Sequence, residues 1–211
     1  NALKRAVAER IITFNPVERL AELDEVPERP EVERDYLSAD EVRLMMKADC
    51  QSETVKRAFL FSCFVGLRIS DILALKWESI KDYGTEKHLV LVTQKTGEPL
   101  NLPLSAMALK WLPERGKQNE KVFQDMPAMT QIQKYVRRWA DAAGIVGKTV
   151  TFHTSRHAFA VMSLESGADI YTVSKMLTHK TIQTTTAYLK LLDKKTNTAV
   201  NAVSNRFSDM L

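Results

Sequence analysis

Apolar residues recur at helical spacing along most of this chain and alternate like a strand over one short stretch. Leu3, Val7, Ile11 and Ile12 predict a helix over residues 2–13. Asn15-Pro16 breaks it, and the acidic segment Val17 to Arg34, with Pro27 and Pro30, reads as a linker. Ser38-Ala39-Asp40-Glu41 has the form of a capping box and opens a helix to about Ala48. A second helix, Thr54 to Val65, buries Ala58, Phe61, Cys63 and Phe64 and ends at Gly66 as its cap. Ser70 is expected to cap a short helix ending at Leu75. His88 to Thr93 alternates, Gln94 to Glu98 turns, and Pro99 to Leu104 returns as a partner strand. Ser105 opens a helix to about Leu112. Met129 to Ala143 is a basic amphipathic helix closed by Gly144. Thr151 to Ser166 is a helix stopped by Gly167, and Asp169 caps another over Ile170 to Leu177. One more helix carries Tyr188. The tail from Lys195 places Val200, Val203, Phe207 and Met210 on one stripe. The expected class is therefore α+β, mostly helical, with a small antiparallel β-hairpin and neither internal repeat nor low-complexity tract.

Composition narrows the class. The 211 residues are 45% hydrophobic, enough for one sizeable core, and no stretch approaches 18 uninterrupted apolar residues. No membrane association is expected. The chain opens Asn1-Ala2-Leu3 with no signal-peptide core, and reads as part of a longer protein. Cys50 and Cys63 fall in helical, partly apolar contexts and read as reduced thiols of a cytoplasmic protein. The net charge of +4 divides unevenly: residues 1–41 carry a balance of −5 and residues 42–211 a balance of +9. The basic main body suits a polyanion such as DNA. Lys134, Arg137 and Arg138 on the basic helix, with Lys180, are the candidate DNA contacts.

Six side chains stand out as chemistry: Arg68, Lys95, His153, Arg156, His179 and Tyr188. A phenol that attacks, with cations that hold the charge growing on phosphate oxygens, is what metal-free cleavage of a phosphodiester needs. His153 and Arg156, three apart on one helix, share a face. A guanidinium fork suits two phosphate oxygens, although Arg156 alone is as readily a salt-bridged arginine. Arg68 follows a helix end and precedes a new helix start, with Asp71 three residues on to orient or neutralise it. Lys95, at the tip of the hairpin, is either solvated or a general acid to a departing alkoxide. Lys87 is a second candidate outside the turn. His153 and His157 stand at i,i+4, but no third ligand lies at a metal-like spacing. His157 reads as a structural histidine bonded to backbone, so no metal is expected. Tyr188 alone reads equally as a half-buried tyrosine of an amphipathic helix.

In combination, Gly66-Leu67-Arg68-Ile69-Ser70-Asp71-Ile72, then His153-Thr154-Ser155-Arg156-His157-Ala158-Phe159-Ala160, then Leu177-Thr178-His179 and Tyr188, resemble the tyrosine recombinase (phage integrase) family. The tone is similar to integrases of bacterial mobile elements. The resemblance covers about residues 36–192 and implies a catalytic domain over 36–211. Residues 1–35 would then be the end of a preceding core-binding domain plus the acidic linker. It implies attack by Tyr188 to give a 3′-phosphotyrosyl link, with Arg68 and Arg156 on the non-bridging oxygens and Lys95 as general acid. His153 would assist proton transfer, His179 would bond the phosphate, and Asp71 would support Arg68. No metal, ATP or other cofactor is implied. The partners would be double-stranded DNA and further copies of the chain, as a tetramer joined by exchange of the C-terminal tail. One departure stands out: the family often has Gly where this chain has Thr178, and Thr resists the positive φ that Gly tolerates.

Two other functions fit parts of the pattern. Asp169 to Leu192 has the form of a helix-turn-helix DNA reader without catalysis, which leaves Arg68, Lys95, His153 and Arg156 without a role. A type IB topoisomerase would use the same chemistry to relax one strand without a specific site.

Overall fold

The computed structural model describes residues 2–18, 35–189 and 192. The chain divides into two compact units, Asn1–Glu33 and Arg34–Leu211. In the first, helix α1 (Ala2–Ala8) is shorter than the sequence predicts. Arg10 takes a φ of +58°, which ends the helical run before Ile11 and Ile12 can extend it. The expected linker, beyond its first two residues, and the apolar tail stripe lie outside the described residues.

The second unit is built on helix α3 (Glu53–Val65), whose buried residues include Val55, Ala58, Phe59, Leu60 and Phe61. Helix α2 (Ala39–Lys47) opens with the expected capping box: Ser38 Oγ accepts from Glu41 N, and Glu41 Oε2 accepts from Ser38 N at 2.7 Å. Lys148 Nζ reaches both oxygens of the same carboxylate at 2.6 Å, tying this helix start to the loop that precedes Phe152. Helix α4 (Ile69–Ala74) follows α3 after a sharp turn. Its cap is Arg68 rather than Ser70, which lies inside the helix. The chain has turned before the serine is reached, because Gly66 adopts the left-handed conformation (φ +68°) directly after Val65.

The hairpin gains a strand the sequence did not announce. β1 (Ile80–Asp82), β2 (Lys87–Val92) and β3 (Pro99–Pro103) form one antiparallel sheet in that order. Ile80 pairs Leu89 and Leu89 pairs Leu102, so their side chains share the buried face. Three residues are too few for β1 to display alternation.

Helix α5 (Ala106–Lys110) is capped by Ser105 as expected but stops short of Leu112. Helix α6 (Met129–Ala142) buries Ile132, Val136, Trp139 and Ala140 and exposes its basic side. Helix α7 (Phe152–Glu165) is buried on nearly every side from Phe152 to Val161, apart from His153, the pattern of a helix through the middle of a domain. Phe59 meets Trp139 and Phe152 edge-on at 5.5 and 5.6 Å, fixing α3 against α6 and α7. Helix α8 (Ile170–Met176) is capped by Asp169, whose Oδ1 accepts from Thr172 N at 3.0 Å. Residues 183–189 are helical and bring Tyr188 into a second, smaller core with Phe159, Val161, Val173 and Leu177. Cys50 and Cys63 are free thiols, and complete burial pushes the Cys63 thiol far up. No described helix is long and apolar enough to cross a membrane.

Gly66 is the tightest joint of this arrangement. A Cβ there would stand 2.4 Å from Phe159 Cδ1 and 2.9 Å from Leu177 Cδ2. Gly66→Ala is expected to lose about 2–4 kcal/mol, combining left-handed strain with overpacking. Urea unfolding measures this loss, and an unchanged midpoint would contradict the packing described.

Candidate active site

Arg156 sits near the middle of α7 and is 3% exposed. Its Nη1 donates to the Gly66 carbonyl at 2.6 Å, and its Nη2 donates to the Leu177 carbonyl in a short bond. Those two carbonyls belong to the C-caps of α3 and α8. Helix C-termini carry partial negative charge, so one cation satisfies two of them. Burial, followed by the like charge of Arg68, pushes the Arg156 pKa down to about 10. It remains a cation at neutral pH. Tyr188 and Asp71 act on it in the opposite sense, which places all three groups within electrostatic reach of Arg156.

Arg68 does not pair with Asp71, as the sequence suggests it would. Its Nη1 donates to Thr178 Oγ1 at 3.2 Å, across 110 positions of sequence. Thr178 in turn donates to the Leu177 carbonyl at 2.7 Å, the oxygen that Arg156 also uses. Thr178 holds a φ of +50°. It occupies the position where helices commonly end on Gly: Thr178 N donates to Lys175 O and His179 N to Ser174 O, the two bonds of a Schellman motif. A β-branched residue there costs about 1–2 kcal/mol.

Asp71 serves the hairpin instead. Its Oδ1 accepts from Gln94 N at 2.8 Å, so the carboxylate on α4 pins the residue next to Lys95. Oδ2 is buried without a hydrogen-bond partner among the described residues. Asp71 is 3% exposed and lies within electrostatic reach of Arg156. The turn is closed by Thr93 N to Glu98 O and by Gly97 N to Thr93 O, at 3.0 and 2.9 Å. Lys95 stands exposed on it.

The third part is a run of rings. His157 Nδ1 lies 2.8 Å from Tyr188 Oη, and His153 packs edge-on against His157 with ring centroids 4.5 Å apart. The expectation that His157 is a structural histidine bonded to backbone missed this side-chain partner: the fold brings residues 183–189 back over α7 and sets the phenol against its imidazole. Nothing in local sequence signals a contact made across 31 positions. Tyr188 is 1% exposed, more buried than a lone tyrosine of an amphipathic helix. His153 is exposed, while His179 is half-buried with Nδ1 2.8 Å from Thr185 Oγ1. His153 is aimed from the start of α7, where Phe152 N donates to Gln133 Oε1 at 3.0 Å. Lys134, Arg137, Arg138 and Lys180 are all exposed. Lys87, the second amine considered, lies 3.8 Å from Asp82 on the paired strand.

Residues 35–195 match the model of the Phage integrase family, which is most of the chain. The chain belongs to that family. It is 27% identical to the tyrosine recombinase XerD of Proteus mirabilis over 172 residues, 72% of this chain and 53% of that protein. It is 25% identical to a tyrosine recombinase of Pseudothermotoga lettingae over 215 residues, 95% of this chain and 74% of that one. Among solved structures, a lambda integrase tetramer bound to a Holliday junction shares the fold with a TM-score of 0.65 and 21% identity, covering 89% of this chain and 55% of that one. The integrase-family chain thus spans about half the length of XerD and of lambda integrase.

Asp71→Ala is expected to free the hairpin turn. Amide exchange at Gln94 and Lys95 should accelerate about tenfold or more, while amides of α3 change only with global stability. Stability should fall by about 1–3 kcal/mol, as for a lost bond to a charged acceptor. Unchanged exchange at Gln94 would show that the carboxylate does not hold the turn.

Proposed function

We propose that this chain is the catalytic portion of a site-specific tyrosine recombinase, which cuts and rejoins DNA through a 3′-phosphotyrosyl intermediate. The observation that carries this reading is that Arg156, bonded to the Gly66 and Leu177 carbonyls, has Arg68, Asp71 and Tyr188 all within its electrostatic reach, with Arg68 held on Thr178 beside the Leu177 carbonyl. Two guanidiniums held side by side repel, and a phosphodiester with two non-bridging oxygens relieves that repulsion. Arg156 has five N–H groups, so its two carbonyl bonds leave donors for phosphate.

In the proposed reaction Tyr188 Oη attacks phosphorus while the bond to the 5′-oxygen breaks. The phenolic proton passes toward the imidazoles of His157 and His153. Lys95 supplies a proton to the departing 5′-oxygen. Arg68, Arg156 and His179 stabilise the charge on the non-bridging oxygens. Reversal, with a 5′-hydroxyl of another strand as nucleophile, rejoins the DNA. The phosphotyrosyl link keeps the bond energy, so the chemistry needs neither ATP nor metal. Because Tyr188 is 1% exposed, attack requires residues 183–189 to shift when DNA binds. Lys134, Arg137, Arg138 and Lys180 are proposed phosphate contacts on the DNA flanks. Family membership and the fold shared with the lambda integrase tetramer support assembly on DNA as a tetramer; exchange of the tail from Lys195 between copies is proposed with it.

A nicked suicide substrate carrying the recognised site tests the reading. The chain should form a covalent adduct that maps to Tyr188, and Tyr188→Phe should abolish it while DNA affinity stays within about threefold. Arg156→Ala is expected to lower the cleavage rate by about 10²–10³-fold or more. Lys95→Ala should slow cleavage of an ordinary strand, and a 5′-sulfur leaving group, which needs no proton, should restore it. An adduct that survives Tyr188→Phe would overturn the assignment.

A further inference from the structure

The backbone of Thr178 closes its own helix, but its hydroxyl links the two arginines. A helix that ends in a Schellman motif needs a left-handed residue at this point, and Gly fits it without cost. Here the residue is Thr, 6% exposed, at φ +50°. Local backbone preference does not explain that choice, but the hydroxyl does. Its proton is committed to the Leu177 carbonyl at 2.7 Å, so a lone pair is left facing Arg68, whose Nη1 stands 3.2 Å away. The same carbonyl accepts from Arg156 Nη2. The order of bonds is Arg68 to Thr178, Thr178 to the Leu177 carbonyl, and Arg156 to that carbonyl. Two like charges that repel are thereby linked through one hydroxyl and one oxygen at a helix C-terminus.

We propose that Thr178 is a positioning residue: its hydroxyl holds the Arg68 fork in register with Arg156, so that the pair meets the two non-bridging oxygens of one phosphate. The side chain need not touch DNA. The proposal rests on the recombinase reading above, but the contact at its centre exists without DNA and can be measured without it.

Three substitutions separate the hydroxyl from the strain. Thr178→Gly removes both, Thr178→Val keeps the branched strain and removes the hydroxyl, and Thr178→Ser keeps the hydroxyl with less strain. If Thr178 merely completes the helix end, Gly should match or improve on it in every assay. As a positioning residue, Thr178→Gly should unfold at or above the wild-type temperature yet cleave a suicide substrate about 10–100-fold more slowly in a single turnover, with DNA affinity within about threefold. Ser should recover most of the rate, and Val should lose both stability and rate. In the DNA-free protein, the side-chain NMR signals of Arg68 should show restricted guanidinium rotation in the Thr and Ser forms and free rotation in the Gly and Val forms.

Wild-type cleavage by Thr178→Gly, or an Arg68 signal indifferent to the hydroxyl, would overturn the proposal. If the wild-type chain forms no adduct on any substrate, the recombinase reading fails, and the arginine signals still decide whether Thr178 holds Arg68.

Discussion

One buried guanidinium holds the architecture together. A cation at 3% exposure is tolerable only where acceptors surround it, and Arg156 finds them at the ends of two helices. The carbonyls of Gly66 and Leu177 are orphans of α3 and α8, left without intrahelical donors and at the negative ends of both dipoles. Removing the cation would strand the Gly66 carbonyl and leave the Leu177 carbonyl with only the Thr178 hydroxyl, and removing either acceptor would strand part of a buried charge. α7 therefore cannot slide against α3 or α8 without breaking a charge-assisted bond. Gly66 makes this possible from the other side: its left-handed turn lets Phe159 and Leu177 approach so closely that any side chain would collide. The joint that closes the fold is also the floor of the site.

The other groups are tied to that floor in different ways. Arg68 is linked through Thr178 to the carbonyl that Arg156 uses. Lys95 is linked through its neighbour Gln94 to Asp71. Tyr188 is tied by a hydrogen bond to His157 and by burial in the smaller core. The arrangement separates duties. The two arginines that would bear on non-bridging oxygens are set on α7 and at the start of α4, whereas the amine and the phenol sit on a turn and on a short helical segment. A phosphate-binding pair gains from rigidity, because displacement by an ångström forfeits much of its advantage. A buried nucleophile must be able to move.

Much of this was legible in the sequence. The capping box at Ser38, the Gly66 stop, the alternation around Leu89 and the basic face of α6 are local signals, and the structure follows them. The site residues were legible as a pattern of types in order. Their partners were not. Arg68 reads naturally as the mate of Asp71 three residues away, yet it bonds a threonine 110 positions on, and Asp71 bonds a turn 23 positions on. His157 reads as structural because its partner is brought back by a helix that starts 26 residues later. Short elements escaped for a related reason: β1 has no room for periodicity, and Ser70 is a good cap in a place where the chain has already turned.

The departures from local preference point in one direction. Arg156 is an arginine in a core, Thr178 is a branched residue in a left-handed conformation, and Asp71 has a buried oxygen without a partner among the described residues. Each alone is an ordinary irregularity costing on the order of 1–3 kcal/mol. They are not scattered. Asp71 lies within the field of Arg156, and Arg156 and Thr178 meet at one carbonyl. A fold selected for stability alone would have placed Gly at 178. The retained combination is costly for folding and useful for an anion, since it holds two positive charges at a joint lined by carbonyls with donors to spare. That convergence is a stronger argument for an anionic ligand at this spot than the surface charge of the domain, which a solvated exterior explains equally well.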